Sequence, residues 1–207
     1  PQDALPGRPD PIPTAETHFI SGLPLKSPVP QGMEQAMFGM GCFWGVERKF
    51  WQQPGIWLTM VGYAGGFTPN PTYKETCTQL TGHNEVVRVI YDPAVISYDA
   101  LLKVFWENHD PTQGYRQGND VGTQYRSAMF PTDAQQRELF TAAFDRATET
   151  WGGGLVTEIT DFTVFYPAEE YHQDFFAKNP TQGYCLAVAV PKVNKVRAGF
   201  AQYLTVW

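Results

Sequence analysis

The stretch from Glu34 to Phe50 constrains this chain more than any other. Glu34 to Met40 reads as a short apolar run. Gly39, Gly41 and Gly45 then bracket Cys42, and Phe43, Val46 and Phe50 recur at helical spacing with Glu47, Arg48 and Lys49 on the other faces. The pattern predicts a strand that turns directly into a helix, with Cys42 at the junction and glycines allowing close backbone approach. A cysteine there faces unpaired N–H groups and the positive end of the helix dipole, which favour thiolate over thiol. A reactive nucleophile is one reading; a small buried core residue, the commoner fate of a lone cysteine, is the other. Two related motifs do not fit. Gly39-x-Gly41-x-x-x-Gly45 has one residue too many for a dinucleotide fingerprint and no clear acidic residue about 20 positions on. A nucleophile elbow needs its nucleophile centred between two glycines.

At 207 residues the chain is one ordinary domain, long enough to bury a core without staples. Its 15 basic and 21 acidic residues give a net charge of −6, which argues against a nucleic-acid or anionic-membrane partner recruited by charge. No apolar run approaches the roughly 20 residues of a membrane helix. The sequence opens at Pro1 without an initiator methionine or a signal-like segment, so it reads as processed or trimmed. Cytoplasmic localisation and a monomer are expected, with removal of a targeting segment left open. Cys42, Cys77 and Cys185 are too few and too odd for a secreted disulfide framework. His18, His83, His109 and His172 are scattered, C-x-x-C and H-E-x-x-H are absent, and His83-Asn84-Glu85 lacks the P-C-x-x-C that a zinc deaminase needs. No metal is expected.

In chain order, residues 1–32 are proline-rich and read either as an irregular arm lying over the domain or as a disordered tail. Residues 33–207 form the catalytic domain in this reading. Pro54-Gly55 ends the Cys42 helix, Ile56 to Tyr63 reads as a strand, and Gly62 to Thr72 as a long surface loop. Asn84 to Tyr91 alternates, with Val86, Arg88 and Ile90 on one side and Val87, Val89 and Tyr91 on the other. Ser97 caps a helix through Trp106, and Asn108 to Thr123 is a polar loop of a length that usually carries function. Gln124 to Phe130 is the strand that follows. Thr132 and Gln135 form a capping box for a helix to about Trp151, stopped by Gly152-Gly153-Gly154. Short strands are expected within Leu155 to Phe165, a helix over Ala168 to Ala177, a strand over Leu186 to Val190 and a helix over Val193 to Leu204. Strands and helices mix without strict alternation, which predicts an α+β layer fold.

Several blocks resemble, in order, the A-type peptide methionine sulfoxide reductases. They are Gly41-Cys42-Phe43-Trp44-Gly45, Gly62-Tyr63-Ala64-Gly65-Gly66, Pro69 to Tyr73, Thr81 to Val87, Trp106 to Asp110, Arg116 to Arg126 and Gly183-Tyr184-Cys185. The resemblance implies a two-layer α/β roll with a ferredoxin-like core and a mixed sheet, flanked by irregular terminal extensions. It also implies reduction of methionine S-sulfoxide, free or in proteins, without a bound cofactor. Such chemistry needs a soft nucleophile at sulfur and an acid that protonates the departing oxygen. The family's nucleophile matches Cys42 and its proton donor Glu85, which without the resemblance would read as a strand-end carboxylate facing water. Tyr73, Asp120 and Tyr125 match site positions, although Asp120 can also shape an Asx turn. Phe43 and Trp44 would form an apolar pocket for the S-methyl group, or simply pack as first-turn core residues.

Cys185 matches the resolving position, where condensation with a Cys42 sulfenic acid gives a disulfide that thioredoxin reduces. Many family members carry a further recycling cysteine; this chain has none after Cys185, which implies a two-cysteine cycle. Cys77 reads as structural on the tendency of cysteine to be buried. Two rivals remain at this point. One is a cysteine hydrolase using Cys42 with His83 or His109 as base. The other is a non-catalytic module that binds methionine-containing peptides.

Overall fold

Strand Asn84–Tyr91 runs through the middle of the main sheet, antiparallel to Glu34–Met40 on one side and to Ile56–Ala64 on the other. The computed structural model describes residues 2–183 and Cys185. The elements in chain order are β1 (Glu34–Met40), α1 (Phe43–Trp51), β2 (Ile56–Ala64), α2 (Tyr73–Cys77), β3 (Asn84–Tyr91), α3 (Tyr98–Glu107), β4 (Arg116–Gln117), β5 (Asp120–Val121), β6 (Ser127–Met129), α4 (Ala134–Trp151), β7 (Glu158–Ile159), β8 (Phe165–Pro167) and α5 (Phe175–Lys178). The main sheet has the order β7-β6-β1-β3-β2-β8, and β4 and β5 form a separate small hairpin. β1 and β2 flank β3, parallel to each other and antiparallel to it, and are joined by α1, while α3 leads from β3 back to β6 at the side of β1. That is the split β-α-β arrangement of a ferredoxin-like core. β7 joins β6 in parallel, which makes the sheet mixed.

The helices cover one face of the sheet because their apolar stripes match the inward residues of β1 and β3. Phe38, Phe50, Val87, Val89, Leu101, Phe105 and Phe140 share one buried cluster, with the Phe38 and Phe50 rings stacked at 4.6 Å. Each such side chain stabilises the fold by about 1.5–3 kcal/mol through burial. The other face is covered too. Leu25 and Ala15 of the N-terminal arm pack on Leu58, Met60 and Ile90, so β3 is buried on both sides.

The arm is a packed part of the fold, not a disordered tail. Arg8 forks onto Glu75 at 2.8 and 2.9 Å. His18 Nε2 lies 3.0 Å from both Asp174 Oδ1 and Thr59 Oγ1 in a buried network.

Four local expectations need correction. The loop expected from Gly62 starts only after β2 ends at Ala64, and the short helix α2, not expected, follows it because Thr72 and Glu75 close a reciprocal capping box. The strand expected over Gln124 to Phe130 shrinks to β6 behind a 3-10 turn at Thr123–Tyr125, where the Arg126 guanidinium gathers the carbonyls of Gly82 and Thr123. The cap of α4 is Asp133, which accepts the Gln136 N–H at 2.8 Å; its carboxylate is a stronger acceptor than the Thr132 hydroxyl. The helix expected over Ala168 to Ala177 splits into a 3-10 turn, Glu170–His172, and α5. Between them Gln173 turns its amide to the Val61 backbone, and Asp174 takes a left-handed φ of 55°.

The strand expected over Leu186 to Val190 and the helix expected over Val193 to Leu204 lie outside the described residues. Among the described residues no helix is long and apolar enough to cross a membrane.

Candidate active site

The site forms where β1 ends and β3 begins. Gly41 holds φ at 89°, and a Cβ there would meet the Gln117 side chain at 2.6 Å, so only glycine makes this turn. The turn delivers Cys42 to the N-cap of α1. On the next residue, the Phe43 backbone N–H donates to Glu85 Oε2 at 3.0 Å. Glu85 is 1 % exposed. Burial pushes its carboxyl up to about 8, the Phe43 N–H pulls it back, and the nearby Asp120 carboxylate adds to the rise. A carboxyl in that range is a protonated acid at neutral pH, set one residue from a thiol.

Two phenols close on the same place. Tyr125 hydrogen-bonds Tyr73, and Tyr73 in turn hydrogen-bonds Cys77. Burial raises both hydroxyls, and Glu85 raises them further; Cys42 adds to the effect at Tyr125. Both phenols therefore stay protonated donors. Cys42, Glu85, Tyr73, Tyr125 and Asp120 thus converge from α1, β3, α2, the 3-10 turn and β5.

The wall beside them is aromatic. Phe43 is buried against Tyr63 and His172, at ring distances of 5.8 and 5.1 Å. Trp44 is half-buried, stacks on Phe175 at 3.8 Å and donates its indole N–H to His172 Nδ1 at 2.9 Å.

A family profile described as peptide methionine sulfoxide reductase matches residues 34–204. A protein of Methylobacterium nodulans named peptide methionine sulfoxide reductase MsrA is 61% identical over 190 residues, covering 89% of this chain and 86% of that one. The solved structure of methionine sulfoxide reductase A of Corynebacterium diphtheriae superposes with a TM-score of 0.75 at 42% identity, covering 87% of this chain and 90% of its own. Mxr1 from Saccharomyces cerevisiae in complex with Trx2 superposes with a TM-score of 0.50 at 26% identity, covering 70% and 86%. The chain belongs to the peptide methionine sulfoxide reductase family.

Within this family member, Cys185 packs into a cluster that Trp44, two residues on from Cys42, also touches. It is buried against Phe175 and Phe176 and lines a cavity of about 490 Å³ with Arg48, Trp51 and Gln52. Arg48 and Trp51 belong to the second half of α1 and Gln52 is its C-cap. None of the three cysteines is in a disulfide. Cys77, read as buried from its residue type, is exposed at the end of α2. Its short helix leaves it at the surface, beside the Tyr73 phenol.

The two histidines of the hydrolase reading are engaged elsewhere. His83 Nδ1 accepts the Gly66 N–H at 3.0 Å and its Nε2 meets the Thr68 carbonyl at 2.7 Å. His109 bridges the Phe105 carbonyl and Ser127 Oγ, both at 2.7 Å. Among the described residues His18, Glu47 and Asp174 alone have the spacing to hold a metal ion, their ligand atoms lying within 4.8 Å of one another. Other groups of the fold also bond to this set. Thr59 donates to Glu47 at 3.1 Å, the Asp174 N–H donates to Glu47 at 2.9 Å, and burial raises the Glu47 carboxyl well above its usual range.

Sequence reasoning missed Glu169 and His172. Glu169 accepts the Tyr63 hydroxyl at 2.9 Å and the Tyr73 backbone N–H at 2.8 Å, and so fixes the start of α2. The miss has a cause: Ala168, Tyr171 and Phe175 carry helical spacing, which hid a turn whose polar residues face inward. The buried pair Gln173 and Asp174 beside apolar residues was the available warning.

Proposed function

We propose that this chain reduces methionine S-sulfoxide, in peptides and free, to methionine by thiol chemistry at Cys42. The observation that carries the reading is the Phe43 N–H to Glu85 bond, which sets a buried, protonated carboxyl beside a cysteine at a helix N-terminus. The Cys42 thiolate attacks the sulfoxide sulfur while Glu85 gives its proton to the oxygen, and Tyr73 and Tyr125 hydrogen-bond that oxygen as charge builds on it. The sulfoxide S–O bond then breaks as the oxygen passes to the Cys42 sulfur, and the bond made between Cys42 and the substrate sulfur is cleaved, which leaves a Cys42 sulfenic acid and releases methionine. Phe43 and Trp44 enclose the S-methyl group and exclude water.

Cys185 then condenses with the sulfenic acid: one S–S bond forms, the S–O bond breaks and water leaves. A dithiol of the thioredoxin type restores both thiols and is itself oxidised. The solved complex of yeast Mxr1 with Trx2 supports this partner. Residues 33–207 form the catalytic unit with the N-terminal arm packed over its rear face, and a reducing compartment such as the cytoplasm suits the cycle.

The test is single-turnover reduction of a racemic methionine sulfoxide peptide by prereduced protein without added reductant. One S-epimer equivalent of methionine with two thiols lost is the expected result. Cys185→Ser should lose one thiol and hold a trappable sulfenic acid. No methionine, with all three thiols still titratable, would overturn the reading.

A further inference from the structure

Two contacts of different kinds bear on Trp44. Its face stacks on Phe175 at 3.8 Å and 6° between planes, which sets the plane of the indole. The hydrogen bond from Nε1 to His172 Nδ1 at 2.9 Å sets its orientation within that plane. An indole nitrogen only donates, so Nδ1 must be the acceptor and the imidazole proton sits on Nε2. His172 is fully buried, with ring distances of 5.1 Å to Phe43, 4.6 Å to Tyr73 and 3.9 Å to Tyr171, so it is an anchor that cannot itself swing. Its Nε2 faces Glu169 Oε2 at 3.8 Å, and Glu169 holds the Tyr73 backbone. One turn of chain, Glu169 to His172, therefore ties down both the Trp44 and the Tyr73 sides of the pocket.

We propose that His172 is a positioning residue for specificity: by fixing the Trp44 indole it sets the size of the S-alkyl pocket and so the preference for methyl sulfoxides over larger ones. This rests on the reductase reading above. Burial also pushes the His172 imidazole down to about 3, which keeps the acceptor nitrogen available throughout the neutral range.

The test compares His172→Leu with His172→Asn, which are nearly the same shape, Asn placing its amide oxygen where Nδ1 lies. Peptides carrying methionine sulfoxide and ethionine sulfoxide serve as substrates. His172→Leu should raise KM for the methyl sulfoxide about tenfold with a smaller change in kcat, and lower the methyl-to-ethyl ratio of kcat/KM about five- to tenfold, the scale of one buried hydrogen bond and one methylene. His172→Asn should stay within about twofold of wild type on both measures. Equal behaviour of the two variants, or an unchanged ratio in His172→Leu, overturns the proposal.

Should His172→Leu fail to fold, the wild-type protein still decides. The Trp44 indole proton, assigned by its loss in Trp44→Phe, should resonate downfield and exchange slowly with solvent; an exposed-indole shift with fast exchange overturns the proposal. Absence of methionine from wild type would strike the reductase reading itself, whereas normal turnover with matching variants strikes only the role of His172.

Discussion

Phe43 and Glu85, forty-two positions apart, meet through a 3.0 Å hydrogen bond that fixes a carboxyl beside the residue following the nucleophile. The bond has two effects of opposite sign. It stabilises the carboxylate and so lowers the pKa, yet it can form only because Glu85 is buried, and burial wins. The acid is held in place by a contact that does not ionise it.

The pH profile should show this. With its carboxyl at about 8, Glu85 is the protonated donor below that pH and loses its proton above it. Single-turnover methionine formation should therefore fall on the alkaline side with a midpoint near 8. Glu85→Gln should lose about 10²–10⁴-fold in rate, the usual worth of a positioned acid, and lose that limb as well. An alkaline limb that persists unchanged in Glu85→Gln would assign it to another group.

Stability should follow the same group with a definite sign. A carboxyl raised from its unfolded value near 4.5 to about 8 binds its proton more tightly in the folded state. Its contribution is thus fully present at pH below the unfolded value and is lost as pH rises through about 8. The Tm of wild type should fall more between pH 6.5 and 9 than that of Glu85→Gln. Parallel curves would show that Glu85 is not desolvated.

Tyr73 and Tyr125 share a hydrogen bond, so their contributions should not add. Each phenylalanine variant should cost about tenfold in the single-turnover rate, as expected for loss of one donor to a charged oxygen. The double variant should cost less than the product of the two. Strict multiplication would mean that the phenols act on the substrate independently.

Cys185 should resolve the sulfenic acid in a later, separate step. It is unpaired and packed against Phe175 and Phe176, so it must leave that packing before an S–S bond of ordinary geometry can form. Rapid-quench sampling should show methionine formed before the second thiol disappears, with a sulfenic acid that dimedone captures from wild type in the interval. Simultaneous loss of both thiols with methionine formation would place Cys185 next to Cys42 from the start.

Much of this protein was legible in local pattern. The run into Cys42, the alternation from Asn84 to Tyr91 and the Ser97 cap identify β1, α1, β3 and α3, because period and capping are properties of neighbouring residues. The same order of blocks pointed to Cys42, Glu85, Tyr73, Asp120 and Tyr125 as one site. The pattern misled where side chains are satisfied by distant partners. Asp174 and Gln173 break a helix that their neighbours would continue, since Glu47, His18 and the Val61 backbone offer them better bonds inside the fold. Sequence by itself thus determined the main core elements and which groups could react. Tertiary structure alone decided the rest: that Glu85 is buried enough to keep a proton, that His172 grips Trp44, and that Cys185 is buried against Phe175 and Phe176. Desolvation and long-range contact belong to the packed chain, and no stretch of sequence carries them alone.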